Sequence, residues 1–220
     1  MRRRLFFAAP ILLILVAAST MSCLPWQRPS GDELVYSGPT ERGVVAGEAL
    51  PGTDIVYAGL EDDEADVRIA GQKALKRKGD SLDWDGHPLP GVTLNLKQRI
   101  VWYTEDTLHA AGTARLAVDA PQPAEAYFPA NPPVLYKLPV TYNVRPGEAI
   151  PGTTLVYVGS DNSGAELSGI DGYPYRKIAD SITWEGRLRD GVYLDMNLRV
   201  VFFNESMLQL AGLASIGLAP

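Results

Sequence analysis

Cysteine and histidine are scarce in this sequence. Its 220 residues include one cysteine, Cys23, and two histidines, His87 and His109. A single cysteine cannot close a disulfide within the chain, so the fold has to be stabilised by the packing of its core. No group of histidine, cysteine and acidic residues has the spacing of a zinc site. We therefore expect no metal ion and no cofactor.

Long helical patterns and basic surfaces are also missing. After Cys23, no stretch of about 12 residues repeats its apolar positions at the 3.6-residue period of an amphipathic helix. All 26 acidic residues follow Cys23, whereas three of the 20 basic residues precede it, so the remainder has a net charge of 17 − 26 = −9. Because nucleic-acid phosphates require basic patches, we expect no nucleic-acid partner.

The first 23 residues have the layout of an export signal. Three arginines at 2–4 precede an apolar run at 5–18, and small or polar residues follow. A charged start, an apolar middle and a small-residue end are typical of a secretory signal peptide. The run is short for a membrane-spanning helix, which needs about 20 apolar residues. Extended to Ser22, it is long enough for an uncleaved anchor. Residues 24–33 are the predicted tether between the membrane and the part of the chain that follows.

The end of this segment, Thr20-Met21-Ser22-Cys23, resembles the lipobox of bacterial lipoproteins. The resemblance implies that Cys23 becomes the first residue of the mature chain and that its thiol is acylated. It also implies attachment to the membrane through the N-terminus, on the outer face of the cytoplasmic membrane or elsewhere in the cell envelope. An uncleaved anchor and a released, secreted protein are the two alternatives.

An internal repeat occupies most of the remaining sequence. Residues 47–118 and 147–218 align without a gap at an offset of 100, and 24 of the 72 aligned positions are identical. Duplication of one module explains this similarity. The prediction is a first copy at 34–118, a proline-rich linker at 119–133 and a second copy at 134–218.

Each copy has the pattern of short strands separated by turns. Leu82 and Trp84 alternate with polar residues, and the runs 92–96 and 99–103 flank a short break that indicates a hairpin. The sequence predicts an all-β fold with about six or seven short strands per copy, packed as a small β-barrel or β-sandwich. The predicted core of the first copy, repeated at plus 100 in the second, is Val56, Tyr57, Leu82, Trp84, Leu94 and Val101.

Several motifs have both a functional and a structural interpretation. His87 and His109 have no histidine at plus 100, which excludes a catalytic role shared by both copies. The acidic run at 61–66 lacks the alternating ligands of a calcium loop and is interpreted as a solvated hairpin loop. Trp84 and Trp184 share a strand face with aliphatic residues, so we assign them to the core rather than to sugar binding.

Tyrosines distinguish the second copy from the first. Tyr173, Tyr175 and Tyr193 occupy three positions at which the first copy has other residues. Tyrosine offers an apolar ring and a polar tip, and exposed clusters of it are enriched in binding surfaces. The three tyrosines are therefore the predicted binding face.

Two charges recur in both copies while most of their neighbours change. These are Asp80 with Arg99, and Asp180 with Arg199. Exposed ion pairs contribute only about 0–1 kcal/mol, whereas breaking a buried pair costs about 3–5 kcal/mol. The persistence of these charges predicts a structural ion pair in each copy.

These observations favour a non-catalytic binding or scaffolding protein that displays two β modules outside the membrane. Its expected partner is an envelope protein or a polysaccharide. The alternative is a cell-envelope hydrolase that uses carboxylates such as Asp80 or Glu105, because carboxylate catalysis needs two acids across a cleft.

Overall fold

The computed structural model describes residues 33–219, and every regular element within them is a β-strand. We call residues 33–119 the first half and residues 134–219 the second half. The strands of the first half are β1 (Glu33–Val45), β2 (Ile55–Glu61), β3 (Glu64–Ile69), β4 (Gln72–Lys76), β5 (Trp84–Leu89), β6 (Val92–Tyr103) and β7 (Thr107–Asp119).

The linker contributes one short strand and the second half repeats the pattern of the first. The linker strand is β8 (Ala124–Glu125). The strands of the second half are β9 (Val134–Val144), β10 (Val156–Asp161), β11 (Gly164–Ser168), β12 (Tyr175–Arg176), β13 (Ser181–Arg189), β14 (Val192–Asn204) and β15 (Met207–Leu218). The prediction of an all-β fold is confirmed.

The strands form four antiparallel sheets, each of which ends in two edge strands. The first half contains the sheets β1-β7-β6-β5 and β2-β3-β4. The second half contains β8-β13-β14-β15-β9 and β10-β11-β12. None of these described sheets closes on itself, so they form no closed barrel. Apart from β8, every strand pairs only with strands of its own half.

Alternation of side chains explains why the long segments become strands. Every second residue from Val92 to Ile100 in β6 is buried, and the residues between them face outward. The same alternation runs from Val192 to Val200 in β14. This period of two places one face of each strand on the core and the other in solvent.

The structure corrects the predicted core at Val101 and Val201, which are 52% and 45% exposed. A β-bulge shifts the register between Ile100 and Trp102, and an equivalent bulge occurs in β14. The additional residue of a bulge disrupts the alternation, so the valine faces outward. The other predicted core residues are buried except for three that are half-buried, namely Val56, Trp84 and Val156.

The two halves meet along β1 and β9, the edge strands of the two larger sheets. Pro39 and Pro139 occupy equivalent positions in these strands, and proline has no N–H to donate to a neighbouring strand. The backbones approach closely, since a Cβ on Gly38 would lie 2.7 Å from Cδ of Pro139. Buried apolar residues of both halves form one continuous cluster. The core therefore extends across the junction.

Aromatic and basic side chains fill part of this junction. Arg42 lies 4.4 Å from the ring centre of Tyr136, and its guanidinium donates to the carbonyl oxygen of Leu135. The residue equivalent to Arg42 is Tyr142, whose neighbour is Tyr36. Burial raises the pKa of Tyr136 to about 12 and raises the pKa values of Tyr36 and Tyr142 as well. All three hydroxyls therefore remain protonated at neutral pH.

Candidate functional site

A groove of about 640 Å³ lies between β12 and β13, near two of the sequence-predicted tyrosines. We call it the β13 groove. Its lining comes from β13 at 181 and 183–185, from the linker at 125–127, from the loop at 169–171, and from Leu155 and Arg176. The volume is within the range of about 300–1,000 Å³ that is typical of ligand sites.

The groove exists because the linker covers only part of the edge of β13. β8 pairs Glu125 with Gly186 and Ala124 with Arg187, and no described strand pairs with the same edge from Ser181 to Glu185. The linker then leaves the sheet, and the side chain of Tyr127 is 95% exposed. The free segment of β13 therefore forms a wall of the groove.

Trp184 forms the apolar part of that wall. Its side chain is 5% exposed, and its indole Nε1 donates to Oγ1 of Thr154 at 3.0 Å. The ring lies over Gly186, where an added Cβ would collide with it. The glycine of the Trp-x-Gly pattern thus leaves space for the indole ring to lie against its own strand. Trp84 and Gly86 have the same arrangement in the first half. The assignment of Trp184 to the core is confirmed.

A smaller recess of about 290 Å³ adjoins the groove and shares Arg176 and Ser181 with it. Tyr173 and Tyr175 line the recess, with their ring centres 5.5 Å apart and their planes inclined by 54°. The Arg176 guanidinium donates to the carbonyl oxygens of both tyrosines, at 2.5 and 3.0 Å, and so holds this segment. The carboxylates of Glu166 and then Asp161 raise the pKa of the Tyr175 hydroxyl.

Tyr193 does not belong to this surface. It lies opposite Arg187 and Gly217 near the start of β14, whereas Ser181 of the recess lies opposite Arg199. Six residues of strand, roughly 20 Å, separate the two positions along β14. The structure therefore brings together Tyr173 and Tyr175 but leaves the third predicted tyrosine elsewhere.

The β13 groove is acidic. Its lining includes the three carboxylates of Glu125, Asp171 and Glu185 and one guanidinium, that of Arg176, so the formal charge is 1 − 3 = −2. Glu185 also lies opposite Asp195 on β14. Partial burial, and secondly the charge of Glu185, raise the pKa of Asp195. The groove therefore favours a ligand that carries positive charge or hydrogen-bond donors.

The structure forms neither of the predicted ion pairs. Arg99 donates to the carbonyl oxygen of Gly79 at 2.9 Å, whereas the carboxylate of Asp80 accepts from the backbone N–H of Arg77 at 2.8 Å. In the second half, Arg199 donates to the carbonyl oxygen of Ala179 at 3.3 Å.

The Asp180 carboxylate likewise accepts from the N–H of Lys177 at 2.7 Å. Both charges thus recur because each stabilises the same turn through backbone groups. A sequence repeat cannot distinguish this arrangement from a direct pair.

The acids considered for hydrolysis lie at separate turns. Asp80 lies beside Ile100, whose N–H donates to its carbonyl oxygen at 3.0 Å. Glu105 lies beyond Tyr103, the last residue of β6, in the turn between β6 and β7. The two acids are therefore positioned by different turns, whereas paired catalytic carboxyl groups face each other across one cleft.

A second groove, of about 660 Å³, crosses the outer face of the first-half sheet and reaches Thr141 of β9. Its polar row includes Asp85, Asn95 and Arg115 on neighbouring strands. Asn95 donates to Asp85 at 2.7 Å, and Lys97 lies 3.7 Å from the same carboxylate. Arg115 in turn lies 3.4 Å from the carboxylate of Glu33. These pairings leave fewer charged groups available to a ligand than in the β13 groove.

The remaining sequence predictions have mixed outcomes. The acidic run at 61–66 forms the β2–β3 hairpin, as predicted, but it is solvated only in part, because Asp66 is 7% exposed. His109 stacks on Trp102 at 3.8 Å between ring centres, and His87 is exposed. Among residues 33–219, no group of three or more histidine, cysteine or acidic side chains is arranged to hold a metal ion. Cys23 lies outside the described residues.

The described residues 33–219 include no helix that could span a membrane.

The open edge of β13 is the candidate feature that the sequence did not indicate. Only the strand pairing shows that β8 covers Gly186 and Arg187 and leaves residues 181–185 of the same edge uncovered. Comparison with protein-family models, with curated proteins and with solved structures found no match.

Proposed function

We propose that this protein is a non-catalytic binding protein, attached through its N-terminus to the outer side of a membrane in the cell envelope. Two copies of one β module form its exported part. The second copy carries the binding surface, which consists of the β13 groove and the adjoining recess. The partner is an envelope protein or a polysaccharide.

The observation that carries this proposal is the combination of an open strand edge with exposed tyrosines at one place. Tyr127 is 95% exposed and Tyr173 is 65% exposed, and they flank the groove and its recess. Large exposed aromatic side chains beside a concave polar surface favour recognition over fold stability. The first half has Lys73 in place of Tyr173, so the surface is specific to one half.

Membrane attachment is tested with the full chain. We expect the membrane-extracted protein to begin at Cys23 with acyl mass added, as measured by intact-mass spectrometry. Cys23→Ser should move the protein out of the membrane fraction. A mature chain that begins at Met1 would contradict lipidation, and wild-type protein recovered free in the medium would contradict membrane attachment.

Binding is tested by affinity capture from solubilised native envelope with the full-length protein as bait. Tyr173→Ser combined with Tyr127→Ser should reduce capture of the partner at least about tenfold, because stacking and apolar contact at two anchors are lost. The matched control is Lys73→Ser, which alters the equivalent position in the first half. Equal capture by the double variant and the control would contradict the proposed surface.

A further inference from the structure

We infer that the β13 groove binds an extended peptide segment that adds as a strand to the free edge of β13 between Ser181 and Glu185. This inference deepens the proposed function and rests on it. It selects a protein segment, rather than a polysaccharide, as the occupant of the groove.

The backbone of β13 directs hydrogen-bonding groups into the groove. In the first half, the N–H of Leu82 donates to the carbonyl oxygen of Gln98 at 2.9 Å, so residue 82 bonds inward to β6. The register places Ile182 opposite Leu198 in the same way. Because hydrogen-bonding direction alternates along a strand, Ser181, Thr183 and Glu185 direct their backbone groups away from β14. Those groups face the groove.

The chain itself already uses this edge for strand addition. β8 pairs with β13 at Gly186 and Arg187, and the N–H of Gln122 donates to the carbonyl oxygen of Leu188 at 2.7 Å. An extended segment therefore fits against β13 without rearrangement of the sheet. The five residues at 181–185 continue the same edge for about 17 Å, which is the length of a typical short strand.

The linker leaves the edge at the point where an added strand would begin. The N–H of Phe128 lies 3.4 Å from the Glu185 carboxylate, and the phenyl ring packs against Gly217 on the sheet face. This contact fixes the path of the linker away from the edge. The groove beyond Glu125 therefore remains open to a second chain.

The opposite wall is formed by β12, the last strand of its sheet, which pairs only with β11, through Tyr175 and Arg176. The carbonyl oxygens of Tyr173 and Tyr175 accept from the Arg176 guanidinium, so β12 contributes side chains rather than a free hydrogen-bonding edge. A strand seated in the groove would thus pair with β13 alone, beside the lining residues Trp184 and Leu155. Main-chain hydrogen bonds provide affinity in this mode of recognition, and side-chain pockets provide specificity.

Charge defines the class of peptide. The groove lining has a formal charge of −2, from Glu125, Asp171 and Glu185 against Arg176. The fitting segment is extended, alternates apolar with polar residues, and carries lysine or arginine at positions that face Glu185 and Asp171. Like-charged peptides would be repelled from the same site.

The test uses a displayed library of random nine-residue peptides and the full-length protein in detergent. We expect enrichment of peptides that alternate β-branched residues with lysine or arginine. Thr183→Pro removes one outward N–H from an edge strand, which the fold tolerates, and should weaken binding of an enriched peptide at least about tenfold. Asp83→Pro places proline at the equivalent position of the first half, one residue before β5, and should leave binding unchanged.

A second measurement does not depend on the folding of the variant. Two versions of an enriched peptide are compared, one N-methylated at its odd-numbered residues and one at its even-numbered residues. One version should lose binding and the other should retain it, because only one of the two sets of amides faces β13. Equal binding in both registers would overturn strand addition. Enriched peptides that bind Thr183→Pro and Asp83→Pro equally would also overturn it.

The outcome also separates this inference from the proposed function. If no peptide is enriched but purified envelope polysaccharide binds the wild type and not the Tyr127 and Tyr173 double variant, the peptide inference fails and the proposed function stands. If peptides, polysaccharide and solubilised envelope all fail to bind, both are refuted.

Discussion

At the scale of single residues, Asp195 is a carboxylate whose environment opposes its charge. It faces Glu185 on the neighbouring strand, and burial together with that charge raises its pKa. The folded state therefore holds this proton more tightly than the unfolded state does. The free energy of unfolding should fall as pH rises from the unfolded-state pKa of about 3.9 through the raised pKa of the folded state. The loss of stability is complete above the folded-state pKa.

Replacing Asp195 by asparagine should remove this cost. Asp195→Asn reproduces Asn95 of the first half and should raise the free energy of unfolding at pH 7 by up to about 1 kcal/mol, since the group is only partly buried. Denaturant titrations at pH 7 and pH 3 measure the effect, which should disappear at the lower pH. Asn95→Asp is the matched control and should destabilise at pH 7. An equal gain at both pH values would contradict the electrostatic cause.

The two glycines beneath the tryptophans should respond differently to a methyl group. The three atoms nearest to a Cβ at Gly86 all belong to the ring of Trp84, which is half-buried. A Cβ at Gly186 would collide with buried Trp184 and lie 2.5 Å from the backbone oxygen of Ala124. We expect Gly186→Ala to cost about 1–3 kcal/mol and Gly86→Ala distinctly less, by thermal unfolding. Equal costs would show that β8 does not constrain the indole.

At the scale of elements, the β2–β3 hairpin illustrates how a turn limits stability. Asp62 and Asp63 have φ values of 49° and 66°, the left-handed region that both central residues of a type I′ turn require. Non-glycine side chains are strained there by roughly 1 kcal/mol. The same turn would therefore be more stable with glycine at one of these two positions than it is with two aspartates.

Glycine at the second position should relieve that strain. Asp63→Gly should raise the free energy of unfolding by about 0.5–1 kcal/mol, as measured by urea titration. The control is Asp63→Ala, which removes the charge but keeps a Cβ at positive φ and should not stabilise equally. If alanine stabilises as much as glycine, charge repulsion rather than backbone strain limits this hairpin.

At the scale of the whole molecule, the shared core couples the two halves. Leu34 and Tyr36 of β1 pack near Gly152 of the second half, and Val134 of β9 packs near Gly52 of the first. Each half therefore buries part of the other. We expect residues 33–219 to unfold in one cooperative transition rather than two.

Arg42 provides the test of that coupling. Arg42→Ala removes the stacking on Tyr136 and the hydrogen bond to Leu135, and should lower the free energy of unfolding by about 1–3 kcal/mol. Hydrogen exchange read by mass spectrometry should show the same loss for slowly exchanging amides in both halves. Arg187→Ala removes an exposed ion pair with Asp190 and is the control. Loss of protection confined to the first half would indicate two independent domains.

The sequence by itself determined the local structure of this protein. Period-two alternation in β6 and β14, the Trp-x-Gly pattern and the glycine-containing turns recur at plus 100, so strand type and most core positions were readable from neighbouring residues. Local sequence also indicated the hairpin at 61–66. These features depend on contacts within one strand or between two strands that follow each other in the chain.

Only the tertiary structure decided where these strands meet. The bulge that turns Val101 outward, the pairing of Arg99 with a carbonyl oxygen rather than with Asp80, and the separation of Tyr193 from Tyr173 depend on register and distance, which composition does not encode. The open edge of β13 arises because the linker pairs over two residues and then turns away. Such a site is a gap between distant segments, and no local pattern specifies a gap.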